Sequence, residues 1–134
     1  MIVIPAIDLR EGRCVRLFRG DYAAETVYHD DPVEVAVRFQ TAGARRLHVV
    51  DLDAARQQGS NRRIVREICR RVAIPVQLGG GLRTISAIER AIEDGAARAI
   101  LGTAAALDPG IVAEAVERFG DHVLVAVDVK DGRV

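Results

Sequence analysis

The sequence has little of what defines several large classes of protein. It has no tryptophan, 4% aromatic residues and two cysteines, Cys14 and Cys69, whose spacing fits no metal or redox motif. Nineteen basic and nineteen acidic residues cancel, so no overall positive field attracts nucleic acid or an anionic membrane. No apolar run approaches the ~20 residues that span a bilayer, and the first residues lack the basic segment of a secretion signal. We therefore expect a cytoplasmic protein with no nucleic-acid or membrane partner.

Apolar residues are plentiful, at 49% of 134 residues, which is enough for the core of one domain. Short runs rich in β-branched residues alternate with segments of helical periodicity. The runs predict strands at 2–7, 47–52, 74–78, 99–101 and 123–127. This alternation is typical of a parallel sheet with its helices outside, and we expect residues 1–134 to form a single domain.

Capping signals bound the helices between these strands. Asp31 and Asp108 each precede a proline, which predicts a capping carboxylate before the first helical residue. Gly43 and Gly120 are expected to end those two helices. The other two helices are predicted to start near residues 60 and 84, the latter ending at Gly95.

The connection from Arg10 to Asp30 breaks the pattern of short loops. It shows no clear element of its own, and it carries four arginines, at positions 10, 13, 16 and 19. Long loops in compact domains are usually functional lids or disordered segments. We expect an anion-handling lid here, in preference to a merely solvated loop.

An internal repeat relates the two ends of the chain. The segment from Ala6 is echoed from Ala126, 120 positions later, and the echo aligns Asp8 with Asp128. This period is about half of a ~250-residue eight-stranded β/α barrel, so it favours a barrel over an open doubly wound sheet. In a closed barrel, strands one and five lie opposite each other, which would place the two carboxylates across the mouth. The repeat therefore predicts an acid/base pair.

Glycine-rich connections follow the third and fourth predicted strands. Gly79, Gly80 and Gly81 precede a helix, and so do Gly102 and Thr103. Glycines allow a close approach of the backbone, and a helix N-terminus attracts a phosphate. We expect these adjacent loops to form a phosphate cup, although a glycine triplet also makes an ordinary tight turn. Arg83 is either a supporting clamp for that cup or an exposed arginine.

The second strand carries further polar residues. Alternation places His48 on one face and Asp51 on the other. A histidine on a strand is usually a core residue with its hydrogen bonds made, so His48 is either a core residue or a residue of the site. Asp51 lies nearer the C-terminal end of the strand, where a contact with substrate is plausible. We regard His29 and His122 as structural.

Together these segments resemble the ProFAR isomerases of histidine biosynthesis, with motifs at residues 5–9, 47–52, 76–83 and 101–104. The resemblance implies a (β/α)8 TIM barrel of two-fold internal symmetry, a substrate with a phosphate at each end, and an Amadori rearrangement without metal or organic cofactor. It implies that Asp8 is the general base and Asp128 the general acid. It also implies that one phosphate is held by Gly79, Gly80, Gly81, Gly102 and Thr103.

The chain departs from that family in length, because it corresponds to about half a barrel, four βα units plus strand five. We expect it to self-associate or to pair with a complementary C-terminal half-barrel. One alternative is the cyclase subunit of imidazole glycerol phosphate synthase, which has a similar repeat. A second is a catalytically silent half-barrel that binds phosphate and self-associates. A dual-substrate isomerase that also accepts phosphoribosylanthranilate stays open.

Overall fold

The computed structural model describes residues 1–127, so the predicted acid Asp128 lies outside the described residues. The strands are β1 (Ala6–Arg10), β2 (Arg13–Phe18), β3 (Asp21–His29), β4 (Leu47–Asp51), β5 (Val76–Gly79), β6 (Arg98–Leu101) and β7 (Val123–Val125). The helices are α1 (Pro32–Thr41), α2 (Leu52–Ala55), α3 (Arg62–Arg71), α4 (Ile85–Glu93), α5 (Thr103–Leu107) and α6 (Pro109–Phe119), and a 3-10 turn spans Gly120–His122.

All seven strands form one sheet in the order β3-β2-β1-β4-β5-β6-β7. The strands β1, β4, β5, β6 and β7 run parallel to their neighbours in this series, while β2 and β3 pair antiparallel at one edge. A helix follows each of β4, β5 and β6. The α/β class and the half-barrel arrangement of four βα units plus a fifth parallel strand are thus confirmed.

The stagger of the strands is that of a closing barrel. Asp8 pairs with Val50, and Val50 pairs with Gly79. Continuing the β5–β6 register puts Gly79 beside Ile100, which pairs with Leu124. Asp128, the repeat equivalent of Asp8, comes four positions after Leu124 in the sequence. A shift of four residues over four strand steps is half of the shear of about 8 that closes an eight-stranded barrel.

The core lies between the sheet and its helices. Alternate strand residues such as Ile7, Leu9, Leu47 and Val49 are fully buried against the helices, with Ile68 and Ile88 among the helical partners. The intervening residues point to the other side, which we call the open face; it carries Asp8, His48, Val50, Gln77, Gly79, Arg98, Ile100 and Leu124. Parallel strands place all their C-terminal ends at one edge, so this face is where a site can form.

Local signals set the helix boundaries much as expected. The Asp31 carboxylate accepts hydrogen bonds from the amides of Val33 and Glu34, and Asp108 accepts one from Gly110. Thr84 caps α4 through the amide of Ala87. Each of these side chains satisfies an amide that the first helical turn leaves free.

The segment 10–30 contradicts the prediction of a connection without elements, because it forms the β2–β3 hairpin. Glu11 and Gly12 turn the chain with φ of 48° and 78°, and Arg19 and Gly20 do so again with φ of 53° and 76°. Two positive φ values in succession produce the type I′ turn of a tight hairpin. Pairing with β2 also moves β1 to Ala6–Arg10, later than the predicted 2–7.

Arg10 and Arg56 both contact residues of the β2–β3 hairpin. Arg10 forms an ion pair of 2.5 Å with Glu25, and its guanidinium lies 5.6 Å from the Tyr22 ring centroid. The Arg56 guanidinium lies 4.4 Å from the centroid of the same ring. These contacts tie the hairpin to β1 and to the end of α2. The anion-handling role of this segment stays a prediction.

No helix within residues 1–127 is both long enough and apolar enough to cross a membrane.

Candidate active site

Asp8 is the acidic side chain that β1 presents on the open face. The residue is partly buried, yet within residues 1–127 its carboxylate takes part in no hydrogen bond or ion pair. Burial raises the pKa of Asp8 above its ordinary value, and His48 and Arg16 oppose that shift by favouring the anion. A carboxylate with a raised pKa and free lone pairs is a better proton acceptor than an ordinary surface aspartate.

His48 lies on the same face of the neighbouring strand. Ala6 pairs with His48 and Asp8 with Val50, so the two ionisable side chains are diagonal neighbours. Burial lowers the pKa of His48, and the Asp8 charge works in the opposite direction. The Nε2 amide of Gln77, one strand further, lies 3.1 Å from Nδ1 of His48. An imidazole and an amide thus lie side by side on β4 and β5, and the carboxylate of β1 lies diagonally next to the imidazole.

The glycine loop after β5 packs closely on the short helix α2. A side-chain carbon at Gly80 would meet the carbonyl of Asp51, and one at Gly81 would lie 2.7 Å from Cβ of Ala54. The two glycines also have φ of 96° and 74°, which other residues rarely adopt. Arg83 donates to the carbonyls of Ala54 and Ala55, the former at 3.2 Å. Glycine is therefore required here by the protein's own backbone, whether or not a ligand approaches.

The predicted phosphate-cup residues line one cavity of about 320 Å³ at the C-terminal ends of β5 and β6. Gly102 precedes the first residue of α5, Thr103, and no side chain caps that helix. The apolar part of the wall consists of Val50, Ala55, Leu82, Ile100, Ala104 and Ala126. The cavity is lined by the predicted residues Gly79, Gly80, Gly81, Arg83, Gly102, Thr103 and His48. The structure thus brings seven of the predicted residues together at one place.

Asp51 is the predicted site residue that lies elsewhere. It is 4% exposed on the helix side of the sheet, where it caps α2 through the Ala54 amide. Its two oxygens also accept hydrogen bonds of 2.7 Å each from the backbone and side-chain amides of Asn61. Asn61 in turn donates to Asp53 and accepts from the Gly12 amide, while Asp53 accepts from Glu11. This buried network fastens the β1–β2 turn to the β4–α3 connection.

Comparison with known proteins identifies the relatives of this arrangement. Residues 2–134 match the family described as histidine biosynthesis protein. The chain belongs to that family. A relative from Thermomicrobium roseum is 58% identical over the whole chain, and one from Pelotomaculum thermopropionicum is 57% identical over the whole chain. A third, from Salinibacter ruber, is 52% identical over 99% of the chain.

All three relatives are named as imidazole-4-carboxamide isomerases, with two phosphoribosyl groups in the substrate part of the name. The chain spans between 52% and 56% of their lengths, so it matches about half of each. The name favours the resemblance to isomerases stated above over the cyclase and the silent half-barrel. Membership of the histidine biosynthesis family also agrees with the half-barrel register of the sheet.

The sequence did not identify two residues, Gln77 and Asn61, that the structure places in or next to the site. Gln77 interrupts an apolar strand at the position that pairs with His48, and that interruption is the signal that could have identified it. Asn61 is 6% exposed at the start of α3, a burial that sequence alone does not reveal. Among the described residues, no group of three or more His, Cys, Asp and Glu side chains is placed to hold a metal ion.

Proposed function

We propose that this chain provides the amino-terminal half of a ProFAR isomerase, which converts an aminoaldose to an aminoketose by an Amadori rearrangement. The observation that carries the proposal is the half-buried Asp8 carboxylate, which accepts no hydrogen bond among residues 1–127 and lies on the open face beside His48 and Val50, two residues that line the glycine-loop cavity. A substrate bound in that cavity extends along the open face toward β1. The names of the relatives at 52% to 58% identity support the choice of substrate.

In the proposed mechanism, Asp128 acts first as the general acid. It protonates the ring oxygen of the ribose, the furanose opens, and the nitrogen at the anomeric carbon forms an imine. Asp8 then removes the proton from the neighbouring sugar carbon, and the electron pair of that bond neutralises the imine nitrogen. Asp8 then returns its proton to the former anomeric carbon, and the enol hydroxyl loses its proton to the Asp128 carboxylate, which gives the ketone and restores both residues. The sequence repeat supports the pairing of these two residues, because it aligns Asp8 with Asp128.

We assign one substrate phosphate to the cavity between the β5 and β6 loops. Thr103 offers a hydroxyl, and Gly102 together with the glycine loop offers backbone amides. Arg83 holds the carbonyls of α2 and adds a positive charge at the same rim. Fixing a phosphate here positions the ribose for proton transfer, which is worth more to such a reaction than tight binding alone. The position of the second phosphate belongs to the other half of the barrel.

We further propose that the open face is closed by a complementary carboxyl-terminal half-barrel, with a second copy of this chain as the alternative. Apolar side chains remain exposed at both ends of the parallel series, including Ile2 and Val3 before β1 and Val125 and Val127 at β7. Exposed apolar surface of this kind is typical of an interface. A cytoplasmic location and the single-domain assignment of residues 1–134 remain parts of this proposal.

The deciding experiment assays ProFAR turnover by this chain alone and mixed with the carboxyl-terminal half of the Thermomicrobium roseum relative. We expect turnover in the mixture that depends on both halves. Asp8→Asn in the mixture should remove it, while Asp30→Asn, an exposed aspartate of the connection before α1, should not. An inactive mixture that sediments as a 1:1 complex, or unchanged turnover in Asp8→Asn, would contradict the proposal.

A further inference from the structure

The contact between Gln77 and His48 bears on which ring nitrogen of His48 carries the proton. The group that Gln77 directs at Nδ1 of His48, at 3.1 Å, is its amide nitrogen, which can only donate. With Gln77 in this orientation, Nδ1 accepts the hydrogen bond and the ring proton is carried by Nε2. We propose that Gln77 is a positioning residue that fixes His48 as the neutral imidazole with its proton on Nε2, so that the ring offers one hydrogen-bond donor to the substrate beside Asp8. This inference rests on the proposed isomerase function.

The surroundings of the ring favour the same form. Asp8 faces His48 from β1, and it is the group among the described residues that favours a positive imidazolium. Arg16 on β2 acts on Asp8, and Arg98 occupies the position of β6 that pairs with Gln77. Arg83 lines the cavity that His48 also lines. Burial and the amide of Gln77 thus favour the neutral ring, while Asp8 alone favours the charged one.

The state of His48 matters for Asp8. An imidazolium next to Asp8 would stabilise the carboxylate and weaken it as a base. The other neutral form, with its proton on Nδ1, would turn an acceptor toward the substrate where the proposed form turns a donor. Gln77 selects against both states through a single hydrogen bond, without contact with the reacting atoms. Gln77 therefore sets the tautomer of His48, and it affects the reaction rate only through that tautomer.

The first test is nitrogen-15 NMR of the histidine rings in the full 134-residue chain. We expect His48 as the neutral ring with its proton on Nε2, assigned by the loss of its signals in His48→Gln. Gln77→Leu should give a mixture of both tautomers. Gln77→Glu should accept a hydrogen bond from Nδ1 and raise the pKa of His48.

The controls lie in the same molecule. His29 accepts a hydrogen bond from the Asp31 amide at 3.0 Å, so its signals should not respond to substitution of Gln77. Gln58→Glu makes the same chemical change at an exposed position after α2 and should leave His48 unchanged. A wild-type His48 with its proton on Nδ1, or an unchanged tautomer in a folded Gln77→Leu, would overturn the proposal.

The second test measures kcat and KM with the complementary half present. We expect Gln77→Leu to lower kcat about three- to tenfold, the loss typical of one hydrogen bond, with a smaller change in KM. Gln77→Glu should also move the acid limb of the kcat profile to lower pH, because a charged His48 lowers the pKa of Asp8. An altered tautomer with unchanged kcat would overturn the role in the reaction. Absence of turnover in the wild type would instead contradict the proposed function, and the NMR result would still decide the tautomer.

Discussion

Asp8 and Asp51 lie near the C-terminal ends of two adjacent parallel strands, and the sheet separates them. Asp51 lies on the helix side, 4% exposed, with three amides donating to its carboxylate. Asp8 lies on the open face, where the described residues offer its carboxylate no donor at all. Both residues are aspartates on adjacent strands, but the carboxylate of Asp51 accepts three hydrogen bonds and that of Asp8 accepts none from the described residues.

The comparison distinguishes a structural aspartate from the proposed catalytic one by the hydrogen bonds that the fold provides for each. Both oxygens of Asp51 accept hydrogen bonds from Ala54 of α2 or from Asn61 before α3, and the residue is buried on the helix side, away from the open face. Asp8 is partly buried with no hydrogen bond from residues 1–127, and the charges of His48 and Arg16 offset its burial only in part, a combination typical of functional sites. We therefore leave Asp51 out of the proposed mechanism, although the sequence favoured it as a substrate contact.

The largest expected effect comes from Asp8→Asn. An asparagine keeps the shape but cannot accept the proton, so we expect kcat in the completed barrel to fall by about 10²- to 10⁴-fold. The fold should be retained, because no hydrogen bond within residues 1–127 is lost. Turnover and circular dichroism measured on the same samples check both statements. A loss of activity that accompanied unfolding would remove the contrast with Asp51.

Asp51→Asn is the matched substitution on the other face. Its new amide group would face an amide donor of Asn61, leaving a buried donor without a partner. We expect a loss of about 1–3 kcal/mol in the free energy of unfolding, measured by urea titration. Asp30→Asn, on an exposed residue, should change it by less than about 0.5 kcal/mol. Equal stabilities of Asp51→Asn and Asp30→Asn would show that the network around Asn61 does not hold the turn.

The melting temperatures of the wild type and of Asp8→Asn, measured as a function of pH, test whether Asp8 is destabilised by its burial. Because burial raises the pKa of Asp8 in the folded chain, the folded state binds a proton more readily than the unfolded state. At pH values below the ordinary aspartate range, wild type and Asp8→Asn should have the same melting temperature. As the pH rises through the raised pKa, the wild type should become the less stable of the two. If the wild type instead gains stability relative to Asp8→Asn over that pH interval, the pKa of Asp8 is lowered by folding and the predicted direction is wrong.

The sequence predicted the parallel part of the fold because its signals are local. Asp31 and Asp108 cap their helices as expected, and the apolar runs at 47–52 and 99–101 coincide with strands to within a residue. The hairpin of residues 13–29 was not predicted, because the turns before β2 and between β2 and β3 contain Glu11 and Arg19 in place of the usual Asn or Asp. Its outer strand is mostly exposed, so it shows no apolar alternation either.

The site was predicted less completely than the fold. Alternation correctly put His48 and Asp51 on opposite faces, but it could not say which face the helices cover. That information comes from the long-range packing of Ile7, Leu47 and Val49 against the helices. Gln77 and Asn61 act through contacts with residues 29 and 10 positions away, which no local pattern records.

The smallest effect we predict concerns the turn that the Asp51 network holds. Glu11 adopts φ of 48°, a conformation that asparagine tolerates better, so Glu11→Asn should raise the free energy of unfolding by about 0.5 kcal/mol. The substitution removes only an exposed 3.7 Å ion pair with Arg13, worth little. The backbone amide of residue 11 would still donate to Asp53 at 2.7 Å, so turnover should not change. Urea titration of the single variant and of its combination with Asp51→Asn measures the coupling. If the gain persists when Asp51 is replaced, the turn stabilises itself; if it disappears, the network on the helix side is what fixes the hairpin beside Asp8.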